Sequence, residues 1–127
     1  MHPIETMIRQ MNQAWVEGRF EELGDYFHEE VVMLMPGSPH ILRGREPMVA
    51  SYREFTAMAR VHQFAFGEIA LFPFGSLTMA HARFSVDYEI PSGRFAEEGM
   101  EIYAITTEGP SPKILWRTQV ALEPSEN

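Results

Sequence analysis

Between Pro3 and Val16 the apolar positions Ile4, Met7, Ile8, Met11, Ala14 and Trp15 recur at spacings of three and four. That is the period of an α-helix, and it lays one apolar stripe along a single face. Pro3 suits the first turn because its φ is already helical, and Gly18 suits the stop. Phe20, Leu23 and Phe27 continue the period into a second, shorter helix packed on the first. The apolar run Val31–Met35 is rich in β-formers and too short for a buried helix, so it reads as a strand ended by Pro36-Gly37. Ile41-Leu42 suits a brief return strand. Glu46-Pro47 then opens a third helix with Met48, Val49, Tyr52 and Phe55 on its inner stripe.

After Arg60 the period changes from 3.6 to 2. Residues 61–72, 77–90, 94–107 and 113–122 read as four long strands, joined by the turn sequences PFGS, PSG and EGPSP. Helices first and a strand meander afterwards predict an α+β fold. The sheet must curl over the helices to bury their stripes. With 127 residues and no repeat or low-complexity segment, the expectation is one domain spanning 1–127.

Composition narrows the classes. Hydrophobic residues are 45% and charged residues 22%, the proportions of a chain that packs a core. The net charge of −8, with no run of Lys or Arg, disfavours nucleic acid and anionic membrane surfaces as partners. No apolar run approaches the ~20 residues of a membrane span, and the opening residues show no signal-peptide core, so the expectation is a cytoplasmic chain. There are no cysteines, which excludes disulfides, thiol catalysis and thiolate metal sites. Nine methionines fit either an adaptable cavity or the gaps of an ordinary core.

The order of elements resembles the nuclear transport factor 2-like superfamily. This cone fold includes SnoaL-like polyketide cyclases, ketosteroid isomerase and the association domain of calcium/calmodulin-dependent kinase. The resemblance rests on WVEGRFEELGDYFHEEVVMLMPG, on LRGREPM at the start of the third helix, and on EEGMEIYAI. It implies a cone-shaped curved sheet wrapped around three N-terminal helices. In such cones the first strand ends at the mouth, and Pro36-Gly37 would lead the chain across the rim. The scaffold itself is nearly silent about activity, because many unrelated functions share it.

The resemblance lets one activity be examined residue by residue. Ketosteroid isomerases place a carboxylate base directly before the Pro that ends the first strand, and here that position is Met35. Their first-helix tyrosine, seven residues before the helix-ending Gly, becomes Met11. Only Glu101 could match their second carboxylic acid. Thioethers cannot exchange protons with carbon acids, so steroid isomerisation is not expected.

Other polar groups offer a site. Residues 77–90 split into the row Thr78, Ala80, Ala82, Phe84, Val86, Tyr88, Ile90 and the row Leu77, Met79, His81, Arg83, Ser85, Asp87, Glu89. Hydrophobicity alone turns the first row inward. Similarity to the kinase association domain instead implies that Arg83 is a pocket arginine, with Glu101 and Tyr103 at two further pocket positions. Two arrangements follow. In one, His81, Arg83, Glu101, Tyr103 and Trp116 line a polar pocket, with Arg83 and Glu101 paired because an isolated buried charge costs several kcal/mol. In the other, Arg83 and Glu101 form an exposed cross-strand pair.

Catalytic candidates are His81 and Glu101; ligand-contact candidates are Arg83, Tyr103, Trp116, Met35, Tyr52 and His62. His62 and His81 can act as bases near neutral pH. Trp15 reads as packing. No metal is expected, since His2, His28, His40, His62 and His81 lack ligand spacing, and no cofactor motif occurs. Two functions remain. One is a SnoaL-like protein binding a small molecule in an apolar pocket with a few polar groups, whose chemistry, were it an enzyme, would be proton transfer or hydration. The other is a non-catalytic association module with a filled cone. The superfamily implies a homodimer through the outer sheet face in either case.

Overall fold

The computed structural model describes residues 2–122. Helix α1 is Pro3–Val16, α2 is the single turn Phe20–Leu23, and a 3-10 turn covers Gly24–Tyr26. Strands β1 (Phe27–Leu34) and β2 (Ile41–Arg43) precede helix α3 (Arg45–Met58). Strands β3 (Arg60–Phe74), β4 (Leu77–Ile90), β5 (Gly93–Thr106) and β6 (Lys113–Leu122) complete the described residues. The six strands form one sheet in the order β2-β1-β6-β5-β4-β3. β1 runs parallel to β6, and the other pairs are antiparallel. The two edges, β2 and β3, do not meet, so the sheet curves without closing. The α+β cone expected from the element order is the fold observed.

Every residue of the first apolar stripe is buried, from Ile4 to Trp15. His2 begins that helix by accepting the Ile4 N–H on Nδ1 at 3.1 Å, a capping role that satisfies one of the free first-turn donors. The second helix is shorter than its sequence period implied. Phe27 belongs to β1, where its side chain is fully buried, and the chain has already left the helix through the 3-10 turn.

Helix α3 is aimed across β1 by two contacts. Gly44, at φ 99°, turns the chain in a conformation that favours glycine, and its N–H donates to the Val31 carbonyl at 2.7 Å. Arg45 Nε then donates to the Phe27 carbonyl at 2.9 Å. The core between the helices and the concave sheet face includes Ile8, Met11, Leu23, Phe27, Val31, Met48, Tyr103, Ile105 and Ile114, all fully buried.

Two local features shape the inner face of the sheet. Gly99 on β5 lies opposite Phe84 on β4, leaving room for its ring. On β6, Ala104 of β5 pairs with Trp116 while Ile105 pairs with Ile114, so Leu115 is an extra residue in the ladder. Such a bulge shifts the alternation by one. Ile114 and Arg117 therefore both turn inward, although they are three apart.

Candidate functional site

A polar network crosses the apolar interior. Glu101 on β5 and Arg117 on β6 are 1% and 2% exposed, which means that both charges have left water. Arg117 Nη2 donates to Glu101 Oε1 at 2.8 Å, and Gln119 Nε2 donates to the same oxygen. Arg117 Nη1 donates to the Tyr52 hydroxyl, and the guanidinium carbon lies 5.2 Å from the Tyr52 ring centre. Behind them Asn12 links helix to sheet. Its Nδ2 donates to Tyr103 OH at 3.3 Å, and its Oδ1 accepts from Trp15 Nε1 at 2.9 Å.

Pairing is what makes these charges tolerable, since removing one ion from water costs several kcal/mol. Burial pushes the Glu101 carboxyl above its ordinary value, against the downward pull of Arg117 and of the Gln119 hydrogen bond. Burial works against the Arg117 charge, but Glu101, Tyr52 and Tyr103 outweigh it, so Arg117 stays a cation. Tyr52 is likewise raised by burial, with Arg117 opposing, and keeps its proton. Two buried polar atoms of the network, Glu101 Oε2 and Arg117 Nε, have no hydrogen-bond partner among the described residues.

Beside this network lies a cavity of about 200 Å³. Its apolar wall includes Trp15, Phe55, Phe64, Phe84, Val86 and Tyr88, and its polar groups are Ser51, Tyr52, Glu97, Arg117 and Gln119. The aromatic rings brace each other: Trp15 meets Phe64 edge-on at 5.4 Å, and Phe64 stacks on Phe84 at 5.9 Å. Glu97 is exposed on the cavity rim, where it accepts the Tyr88 hydroxyl at 2.8 Å. The arrangement can hold an apolar body against aromatic faces and a polar end near Arg117 and Tyr52.

The residues expected to gather in one pocket do not all do so. Glu101 and Tyr103 share the interior. His81 and Arg83 lie on the outer sheet face, exposed, as the hydrophobicity of their row had indicated and the family similarity had not. The register gives the reason: Glu101 pairs with Ala82, so the side chain of Arg83 points to the opposite face. Arg83 Nη2 instead contacts Glu98 Oε2 at 3.0 Å, with both side chains more than half exposed. His62 reaches Glu89 at 3.0 Å on the surface.

Trp116, half-buried, points away from the cavity because its neighbour Arg117 points into it. Trp15 packs in the core, as expected, and also forms part of the cavity wall. Tyr52 is in that wall, whereas Met35 lines an adjoining groove with Phe84, Glu97 and Gln119. Arg117 and Gln119 escaped the sequence reading because the bulge at Leu115 hides their phase. The available signal was a lone Arg, two residues before Gln, on the strand after Glu101. Among the described residues no cluster of three or more His, Asp or Glu side chains is placed to hold a metal. No described helix is long and apolar enough to cross a membrane.

A family model described as a SnoaL-like domain matches residues 8–110. The chain belongs to the SnoaL-like domain family. Solved structures place this SnoaL-like chain in the same fold at low sequence identity. A putative calcium/calmodulin-dependent kinase II association domain from Exiguobacterium sibiricum superposes with a TM-score of 0.81 at 10% identity, over 97% of this chain and 93% of that one. An NTF2-like protein from Cytophaga hutchinsonii gives 0.79 at 11%, over 94% and 95%. A ketosteroid isomerase-like protein from Erwinia carotovora atroseptica gives 0.79 at 10%, over 96% and 95%. No curated protein matches the SnoaL-like sequence significantly.

Proposed function

We propose that this SnoaL-like chain binds a small, largely apolar metabolite in the interior of its cone. The bound molecule's ring or chain lies against Trp15, Phe64 and Phe84, and its polar end meets Arg117 and Tyr52. The observation that carries this reading is the aromatic-walled cavity with a buried guanidinium in its wall. A chain that needed only a packed core gains little from an ion pair there, because apolar residues of similar volume are often as stable. Proton transfer or hydration at this end would fall to Tyr52 and the Arg117–Glu101 pair rather than to His81. The reading is tested by screening aromatic and alicyclic oxygenated compounds by protein-observed NMR. Binders should perturb Trp15, Phe64 and Tyr52, and filling the cavity by Ser51→Phe should abolish the response in a folded variant. Perturbations confined to the outer face would defeat the reading.

Self-association rests on a separate observation and is compatible with ligand binding. The outer sheet face carries exposed Phe72, Phe74, Ile41 and Val120, with half-buried Met79, Ile102 and Trp116 between them. We propose that a second copy covers this face, since several large apolar side chains exposed on one face mark interaction sites. Sedimentation should show a dimer that Val120→Lys dissociates; a monomer at all concentrations would refute it.

A further inference from the structure

The cavity has a cation in its wall, yet its electrostatics do not suit an anion. Arg117 is already matched by Glu101 at 2.8 Å, so an entering carboxylate would meet a balanced pair rather than a free positive charge. Glu101 Oε1 accepts two N–H donors, from Arg117 and Gln119, the arrangement an ionised carboxylate favours. Glu97 adds a second carboxylate at the rim, and the chain as a whole carries −8. A carboxylate ligand would lose its hydration without a charge to replace it.

Donors remain for a neutral acceptor. The guanidinium has five N–H groups: Nη2 donates to Glu101, Nη1 to Tyr52 and weakly to the Met48 sulfur at 4.0 Å, and the buried Nε has no partner among the described residues. The Tyr52 oxygen accepts from Arg117 Nη1, which leaves its own proton facing only the Met11 sulfur, at 4.0 Å. A hydroxyl that accepts from a cation is a polarised donor. Resting on the reading of the cavity as a binding site, we propose that its inner end selects a neutral carbonyl, as in a ketone or amide, over a carboxylate. Glu101 sets this selection as a positioning residue, from behind the wall and without touching the ligand.

Acetophenone and benzoate share a ring and differ at the group that would meet Arg117. Titrated separately into the full chain at neutral pH and followed by protein NMR, acetophenone should bind about tenfold or more tightly. Glu101→Gln removes the balancing charge but keeps an oxygen for Arg117, and it should bring benzoate to at least equal affinity. A purely structural role for Glu101 would weaken both ligands together. Equal binding by the wild type, or a preference for benzoate, overturns the selection. An unchanged preference in a folded Glu101→Gln variant overturns the role of Glu101. If that variant fails to fold, the wild-type comparison decides the selection alone. Failure of both compounds to perturb Trp15, Phe64 or Tyr52 overturns the binding-site reading itself, a result distinct from loss of preference.

Discussion

The ring of Phe84 occupies the space that a side chain on its cross-strand partner Gly99 would need. A Cβ at residue 99 would lie 2.6 Å from Phe84 Cε1 and 2.9 Å from the Val120 carbonyl oxygen. The first clash could be relieved by turning the ring; the second, with backbone, could not. Because Phe84 forms part of the cavity wall, this one glycine ties strand packing to cavity shape. Gly99→Ala should therefore lower stability by ~1–3 kcal/mol, measured by urea denaturation. It should also weaken any ligand that contacts Phe84. An unchanged midpoint would show that the sheet absorbs the methyl group.

The Glu101–Arg117 pair makes a different demand. Replacing Arg117 by Leu strands Glu101 without its cation and should cost ~3–5 kcal/mol. The double replacement Glu101→Leu with Arg117→Leu should recover much of that loss, because neither charge is then buried. A double-mutant cycle by chemical denaturation reads the coupling directly. Additive losses would mean that the two side chains do not act as a pair.

Protonation gives a signed test of the same carboxyl. Its folded-state pKa is raised from the ordinary 4.5, with burial the largest cause. The folded chain therefore holds this proton more tightly than the unfolded chain does. The stability it contributes is present at and below the ordinary value and is lost as pH rises through the folded value. Glu101→Gln cannot titrate. The stability difference, wild type minus Glu101→Gln, should thus shift in favour of the wild type as pH falls from neutrality toward 4.5. A slope of the opposite sign would place the folded pKa below the ordinary one.

His81 and Arg83 serve as the contrast. Both lie on the outer face, and the Arg83–Glu98 contact is solvent-exposed. Single changes of either to Ala should alter stability by less than ~0.5 kcal/mol. Neither should reduce the affinity of a ligand held between Phe64 and Arg117. Loss of binding in Arg83→Ala would return that residue to the site.

Much of this architecture is legible along the chain. The stripe from Ile4 to Trp15, the change of period after Arg60, and the turns that separate the long strands are local signals. Each follows from which side of a helix or strand must leave water. The alternation in residues 77–90 even indicated which row of β4 faces inward, and Glu101 already stood among the catalytic candidates. Partners were another matter. Whether Glu101 meets Arg83 or Arg117 depends on a register in which Ala82, not Arg83, lies across from it. It depends equally on an extra residue at Leu115 that turns Arg117 and Gln119 to the inside. A period-2 pattern specifies a strand's two faces, but a bulge exchanges them at no visible cost in the sequence. Only the assembled sheet, in which inward-facing charges must find one another or remain unpaired, decides which residues share the cavity.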